Sequence, residues 1–418
     1  MAAWSKVVAD LRSHWNDPFY RNSYYLILNT LVVAGSGFIF WALVARVAVP
    51  SEVGRASAAV AILMFLATLA KLGMDISLLR FLPAVKEGEA GRILDTALTL
   101  TAIGSILASL VFLLGTPFWA SELVAMRDNP FFAVGTVVLT VMWTAASLLD
   151  LAFTSRRRSD YALAKNTIHA LARVALLLAL APIFHAPGIV LAAIGSVSIA
   201  AGIASVLWLR RAEPGYVPRL RIDPETFRMT FRASASNYAV SLALAIPAAI
   251  GPVLVLQRGS AQDAAVFYVL WMIGSVGMIV PTAFGQTLLV ELSGTASASA
   301  RLFGKPFALA LAASAGVMVA GWVLLPVFGP YYAQRGFWAI IPFAIAAIPG
   351  YVLQARIALL RGQNRYVPLV AGPIVAAASF VGLLFFAVPN MVLAGWAWFA
   401  AMTLGAAATF LYHHAPAR

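Results

Sequence analysis

The sequence has no cysteine, few charged residues and few histidines, and each shortage excludes a class of function. Without cysteine the chain has no disulfide, no thiolate nucleophile and no thiolate metal site. The five histidines show no metal-ligand spacing beyond one adjacent pair, so we expect no metal site and no cofactor. Charged residues occupy only 11% of the 418 positions. Soluble domains have about 25%, so this chain cannot cover its own surface with charge.

Hydrophobic residues make up 62% of the chain instead, in long runs that do not alternate with polar residues. Inside a bilayer the backbone must pair within the protein, which leaves helices or closed barrels, and unalternating runs favour helices. The sequence therefore predicts an all-α polytopic membrane protein with about twelve transmembrane helices. The predicted segments are 23–46, 54–80, 94–115, 130–153, 161–184, 188–209, 231–257, 264–290, 307–328, 337–360, 366–387 and 391–412.

The net charge of +13 is distributed as in membrane proteins, because most basic residues lie in short loops beside apolar segments. With the N-terminus and every second loop placed in the cytoplasm, 21 of the 29 lysines and arginines lie on that side and five on the other. This asymmetry predicts a multi-pass protein of the plasma (inner) membrane with both termini in the cytoplasm. We therefore expect membrane lipids as partners and no nucleic acid.

Composition along the chain predicts five regions. Residues 1–22 place two tryptophans and several aliphatic residues on one helical face, which is typical of an amphipathic helix in the headgroup region. Six-helix bundles are predicted at 23–209 and 231–412. A basic cytoplasmic linker at 210–230 joins them, and a cytoplasmic tail follows at 413–418.

The two halves carry related motifs at matching places. EVG at 52–54 corresponds to DAA at 263–265, and RRRSDY at 156–161 corresponds to RGQNRY at 361–366. Each half has an even number of helices, so both halves enter the membrane from the same side. The sequence therefore predicts a parallel repeat of two bundles around a central cavity, an arrangement that suits alternating access.

These residues resemble a known family. An amphipathic N-terminal helix precedes LVARVAVPSEVGRASAA, then KLGMDISLLRFLP, then the arginine-rich turn before Tyr161 and its echo before Tyr366. The pattern is similar to the polysaccharide transporter family, within the superfamily of multidrug, oligosaccharidyl-lipid and polysaccharide exporters. The resemblance implies flipping of a polyprenyl-pyrophosphate-linked oligosaccharide to the outer leaflet for cell-surface polysaccharide assembly. It also implies polysaccharide polymerase or glycosyltransferases as partners.

A basic stripe on the fifth predicted helix is the main candidate binding site. Lys165, His169 and Arg173 are four residues apart and share one helical face. Arg173 lies about 18 Å from the start of this helix, near the middle of the bilayer. Guanidinium groups match phosphate oxygens, so we interpret the stripe as a receiver for a pyrophosphate. The alternative is that Lys165 extends to the interface and Arg173 pairs with an acid elsewhere.

The second predicted helix adds Lys71 and Asp75, one turn apart. Lys71 is a further candidate for the cationic lumen, and Asp75 is a candidate for coupling to H⁺ or Na⁺. The alternative is a self-compensating pair that lowers the cost of burying both charges. Near the cytoplasmic helix ends, four charged residues are candidates for an ion-pair gate between the halves, and the alternative is that they anchor the helices at the interface. They are Arg80, Asp150, Glu291 and Arg356.

The sequence favours a transporter over an enzyme. No stretch matches the nucleotide-binding G-x-x-x-x-G-K-[ST] pattern, and the external loops are too short to assemble a glycosyltransferase site. One alternative is a cation-coupled multidrug exporter of the same superfamily, but such a protein should carry deep carboxylates rather than deep cations. A second alternative is a membrane scaffold in an envelope-assembly complex, which has no need of a buried arginine.

Overall fold

The computed structural model describes residues 18–86, 90–292, 301–363 and 365–411. These residues are almost entirely helical and contain no strand. The first helix begins at Pro18, so most of the predicted amphipathic segment 1–22 lies outside the described residues.

Helices of six or more residues are numbered here in chain order. The first half contains α1 Pro18–Val47, α2 Pro50–Ala70, α3 Met74–Phe81, α4 Ala90–Trp119, α5 Pro130–Ser155, α6 Ser159–Val190 and α7 Ser196–Ala204. The second half contains α8 Pro224–Arg258, α9 Ala261–Ser275, α10 Ile279–Leu292, α11 Arg301–Phe328, α12 Pro330–Gly336, α13 Ile340–Ile345, α14 Ala347–Gly362, α15 Tyr366–Ala387 and α16 Met391–Leu411.

Eleven helical stretches among the described residues are long and apolar enough to cross a membrane. The longest of them has enough residues to cross it twice. This stretch, Ser159–Ala212, has 54 residues and contains the non-helical residue His185, with φ 53° and ψ −132°. The Ser196 hydroxyl oxygen lies 2.9 Å from Nδ1 of His169. A straight helix from His169 to Ser196 would span about 40 Å, so the chain must reverse direction between these two residues. The described residues therefore accommodate twelve crossings, as the sequence predicts.

A helix break near Lys71 corrects the single segment predicted at 54–80. Helix α2 ends at Ala70 and α3 begins at Met74, because Leu72 has φ 50° and Gly73 has φ 80°. Glycine adopts this left-handed conformation at little cost, whereas leucine does not. The carbonyl of Ala70 is approached closely by α4, since a Cβ built on Gly104 would lie 2.9 Å from its oxygen. The break leaves Lys71 in the turn between the two helices and places Asp75 in the first turn of α3.

The chain divides into two compact units whose limits differ from the predicted bundles. The first unit contains Met1–Trp41, Leu66–Leu114 and Met126–Ala235. The second unit contains Ala42–Phe65, Gly115–Ala125 and Ser236–Arg418. The last part of α1 and most of α2 thus pack with second-half helices.

In the second unit the two copies of the repeated motif meet. A Cβ built on Gly54, in α2, would lie 1.7 Å from the carbonyl oxygen of Ala261 and 3.1 Å from the amide nitrogen of Ala265, in α9. Close by in sequence, the Arg46 guanidinium donates to the carbonyl oxygens of Pro326 and Val327, both at 2.8 Å. Glycine at position 54 is therefore what allows the two helix backbones to touch.

In the first unit, part of the predicted linker is an extended strap held on α4. The Tyr216 hydroxyl donates to Asp95 Oδ1 at 2.8 Å, and the Arg219 amide donates to the same oxygen at 2.9 Å. The Arg221 amide donates to Thr99 Oγ1 at 3.2 Å. Burial and the Asp95 hydrogen bond raise the pKa of Tyr216 above its usual range. The stabilisation from the neutral phenol is therefore present at neutral pH and is lost only as the pH rises through that elevated pKa.

Replacing Asp95 with alanine is expected to release this strap. Asp95 is buried and accepts two hydrogen bonds, and a bond to a charged group contributes about 1.5–3 kcal/mol. Limited trypsin digestion should then cut after the exposed Arg219 and Arg221 about tenfold faster than in the wild type. The matched control is Asp128→Ala, which removes an exposed carboxylate paired with Arg127. Equal cleavage rates in Asp95→Ala and wild type would show that Asp95 does not hold the strap on α4.

Candidate functional site

The basic stripe of α6 lies inside the first unit. Lys165 is 2% exposed, His169 7% and Arg173 8%. Cationic side chains are seldom buried to this degree without polar partners, and at membrane depth they mark functional candidates. The stripe is therefore a set of three cationic or titratable groups directed toward neighbouring helices of its own unit.

Arg173 contacts α1 through a hydroxyl and a ring. Its Nη2 donates to Ser36 Oγ at 2.5 Å, and its Cζ lies 5.4 Å from the centre of the Phe40 ring. A Cβ built on Gly37 would lie 3.9 Å from Nη2, and one built on Gly35 would meet no described atom within 4 Å. Glycine at position 37 therefore keeps α1 from crowding the guanidinium.

His169 bridges the helical hairpin. Its Nδ1 lies 2.9 Å from Ser196 Oγ, and that hydroxyl donates to the Ala192 carbonyl oxygen at 2.7 Å. This contact joins α6 to α7 whichever imidazole tautomer is present. The edge of the imidazole meets Trp143 with ring centres 6.0 Å apart.

Lys165 is held by oxygen atoms from two helices. Its Nζ lies 3.1 Å from Asp150 Oδ2, on α5, and donates to Asn166 Oδ1 at 2.7 Å. The Asn166 amide in turn donates to Asn29 Oδ1 at 2.9 Å and to Asp150 Oδ2 at 3.3 Å. We call these four residues the Asp150 network. It ties α1, α5 and α6 together around one ammonium group.

Contacts between α1 and α6 follow a strict register. Asn22 accepts from the Ser159 amide, Asn29 from Asn166 and Ser36 from Arg173, each across 137 residues. The steps of seven along both helices keep the contact on one face, because seven residues make nearly two turns. Helices α1 and α6 therefore run side by side in the same direction, joined by a ladder of polar contacts.

The two candidates on the second predicted helix are placed apart. Asp75 accepts the Ile76 amide hydrogen bond on Oδ1 at 2.9 Å, in the first turn of α3. Lys71, before the Leu72 turn, is half-buried and acts electrostatically on Asp150. Lys71 is thus near the Asp150 network, whereas Asp75 is engaged with its own backbone.

The four candidate gate residues have separate surroundings. Asp150 contacts Lys165 rather than a residue of the second half. Arg80 is exposed, with its Cζ 5.5 Å from the Phe81 ring centre. Arg356, in the second unit, donates to Thr409 Oγ1 at 3.2 Å and to its carbonyl oxygen at 3.0 Å. The side chain of Glu291 lies outside the described residues.

Sequence reasoning missed the partners of the stripe. Asn29 and Asn166 are amides within otherwise apolar helices, and Ser36 follows Asn29 by seven residues. Polar residues at membrane depth are a recognisable signal, and the shared spacing of seven in α1 and α6 was present in the sequence.

A cavity in the second unit has a different lining. Its volume is about 240 Å³, and its walls are mainly aromatic, aliphatic and methionine side chains. Trp271 and Trp398 lie in its wall with ring centres 4.6 Å apart. Among the described residues, no group of three histidine or acidic side chains is placed to hold a metal ion.

Comparison with solved structures places this fold among known transporters. An inward-facing multidrug resistance MATE family transporter of the MOP superfamily has 12% identity and a TM-score of 0.64, covering 94% of this chain and 97% of that chain. An outward-facing one has 13% identity, a TM-score of 0.58 and 96% coverage of both. A MOP superfamily transporter from Pyrococcus furiosus Vc1, described as having a binding pocket of reverse polarity that suggests a different function, has 13% identity, a TM-score of 0.60 and 96% coverage of both.

A family model described as Polysaccharide biosynthesis protein matches residues 19–287, which contain the stripe and its partners. No curated protein matches the chain. The identities to the solved transporters are low enough that they establish the fold alone.

Proposed function

We propose that this chain, which belongs to the polysaccharide biosynthesis protein family of MOP superfamily transporters, flips an anionic glycolipid from the cytoplasmic to the outer leaflet. Family and fold point to a transporter. The substrate class we propose is a polyprenyl-pyrophosphate-linked oligosaccharide for cell-surface polysaccharide. We also propose that the protein lies in the plasma (inner) membrane with both termini in the cytoplasm, which the charge asymmetry supports.

The observation that carries the proposal is the buried stripe Lys165, His169 and Arg173. Lys165 and Arg173 place two cationic groups within one unit at membrane depth, where the effective dielectric constant is low and charge is felt strongly, and Asp150 lies beside Lys165. A diphosphate brings two or more negative charges and many acceptor oxygens. Arginine binds such oxygens through paired N–H donors.

The second candidate is a multidrug exporter, which the apolar cavity of the second unit favours. Its tryptophans and methionines are suited to flat, apolar drugs. Cationic drugs would nevertheless be repelled by Lys165 and Arg173, and the Pyrococcus furiosus transporter, described as having a binding pocket of reverse polarity, is a precedent for a different pocket polarity on this fold. We therefore rank the glycolipid first.

A deletion strain separates the two candidates. For a flippase, loss of the protein should leave lipid-linked oligosaccharide on the cytoplasmic leaflet and reduce surface polysaccharide. Radiolabelled lipid-linked sugar, probed for accessibility in inside-out and right-side-out vesicles, measures this. A strain with unchanged glycolipid distribution and increased sensitivity to cationic drugs would instead support the multidrug exporter.

A further inference from the structure

Asp150 pairs with Lys165 of the basic stripe, and we propose that it exchanges Lys165 for a proton when substrate phosphate binds. In this inference, which rests on the proposed function, the ammonium leaves Asp150 and pairs with the phosphate. Asp150 then takes up one proton. Substrate binding and proton binding are therefore linked.

The geometry provides both halves of the exchange. Asp150 Oδ2 accepts from Lys165 and from Asn166, at 3.1 Å and 3.3 Å. Its second oxygen, Oδ1, is buried and has no hydrogen-bond partner among the described residues, so it is available to carry a proton. Lys165 and Arg173 are two turns apart, about 12 Å along the axis, with His169 between them. A diphosphate at the level of His169 would lie between the two long cationic side chains.

Electrostatics then requires the proton. Lys165 is 2% exposed and the Asp150 side chain 27%, so the pair is partly buried, and removing one partner leaves a poorly compensated charge, which is unfavourable. If Lys165 turned to the phosphate, Asp150 would become such a charge unless it were neutralised. A proton on Oδ1 removes the negative charge, and the net charge facing the substrate rises by one.

Among the described residues, no other charged group near Asp150 takes the place of the proton in this exchange. On α6 the charged group that contacts it is Lys165, and His169 and Arg173 follow further along the same face. From the α2–α3 turn the Lys71 charge also acts on it. On α3, Asp75 is engaged with the Ile76 amide and Arg80 is exposed, and α7 carries no ionisable residue. Lys71 favours the ionised carboxylate, so its removal should make proton uptake easier.

The test measures binding of farnesyl diphosphate to the purified full-length protein in nanodiscs by calorimetry. Repeating it in buffers of different ionisation enthalpy gives the number of protons taken up. In the wild type we expect uptake of up to about one proton more than in Asp150→Asn, because the amide cannot accept it. At about pH 8, Asp150→Asn should bind about tenfold more tightly than the wild type, since Lys165 is already released.

Two further variants and one control complete the design. Asp150→Asn combined with Lys165→Gln should lose the gain in affinity, and Asp150→Glu should restore proton uptake. Asp128→Asn, at an exposed pair with Arg127, should behave as the wild type. If Asp150→Asn fails to fold, Asp150→Glu and Lys165→Gln still decide the matter, because Lys165→Gln alone should also abolish extra proton uptake.

Different results would overturn the proton exchange, the proposed function or both. Equal proton uptake in wild type, Asp150→Asn and Lys165→Gln, with Arg173→Ala still weakening the binding of farnesyl diphosphate, would overturn the exchange and leave the proposed function intact. Binding that is unaffected by Arg173→Ala would overturn the proposed function itself. Binding of farnesol as tight as that of farnesyl diphosphate would show that the diphosphate is not recognised, and would overturn both.

Discussion

Arg173→Ala is expected to abolish complementation of a deletion strain while the protein remains folded and in the membrane. The guanidinium is a buried cation of the stripe, and a hydrogen bond to a charged group contributes about 1.5–3 kcal/mol. The loss corresponds to a decrease of about 10- to 150-fold in affinity for a diphosphate. Binding of farnesyl diphosphate and the amount of surface polysaccharide are the two measurements.

Arg173→Lys separates charge from geometry. Lysine keeps one positive charge but lacks the planar fork that binds two phosphate oxygens at once, so we expect affinity between those of wild type and Arg173→Ala. The control is Arg127→Ala, because Arg127 is exposed and forms a pair with Asp128 outside the stripe. Normal surface polysaccharide in Arg173→Ala, at normal protein abundance, would remove the main support for phosphate recognition.

Ser36 explains why the guanidinium points where it does. Its hydroxyl accepts a hydrogen bond from Arg173 and donates to the Val33 carbonyl oxygen at 3.3 Å, so it orients the cation without neutralising it. A carboxylate in the same place would compete with substrate phosphate for the guanidinium. The contact with Phe40 likewise leaves the positive charge in place. This chemistry suits a group that must release one partner and bind another.

The sequence was sufficient to predict the membrane fold and the stripe, because both depend on local periodicity. Twelve apolar segments follow from hydrophobicity and length alone, and the four-residue spacing from Lys165 to Arg173 places the three side chains on one face of any α-helix. The reversal at His185 also falls between two predicted segments, where Pro187 and Gly188 end the apolar run.

Tertiary partners could not be predicted in the same way. The role of Asp150 was assigned to a gate because it lies near a helix end, whereas its pairing with Lys165 depends on how α5 packs against α6. The Lys71–Asp75 interpretation assumed a continuous helix, and the left-handed backbone at Leu72 and Gly73 breaks that assumption. A leucine gives no local signal for such a conformation, which is imposed by packing.

Gly54 provides the second large prediction, because no side chain fits where α2 touches α9. A Cβ there would lie 1.7 Å from the Ala261 carbonyl oxygen, far inside the van der Waals contact distance, and 2.7 Å from its carbonyl carbon. Backbone atoms cannot rotate away as a side chain can. Gly54→Val is therefore expected to cost at least about 3 kcal/mol in the packed arrangement, a factor of about 100 or more in its population.

The lack of native cysteine makes this arrangement measurable. A single cysteine introduced as Ala261→Cys occupies a position that is 8% exposed when α2 and α9 are in contact. In the Gly54→Val background its labelling by a water-soluble maleimide should accelerate at least about tenfold, because the helices are held apart. The control is Gly202→Ala on α7, an exposed position where an added Cβ meets no described atom within 4 Å.

The functional consequence follows from the repeat. The contact joins the two copies of one motif, 52–54 and 263–265, and Arg46 reaches the Pro326 and Val327 carbonyl oxygens in the same unit. A transporter that must alternate between arrangements needs each of them populated, so a variant that cannot form this contact should lose transport while it still binds farnesyl diphosphate. Wild-type transport by Gly54→Val, together with an unchanged labelling rate of the introduced thiol, would show that the contact is not part of the cycle.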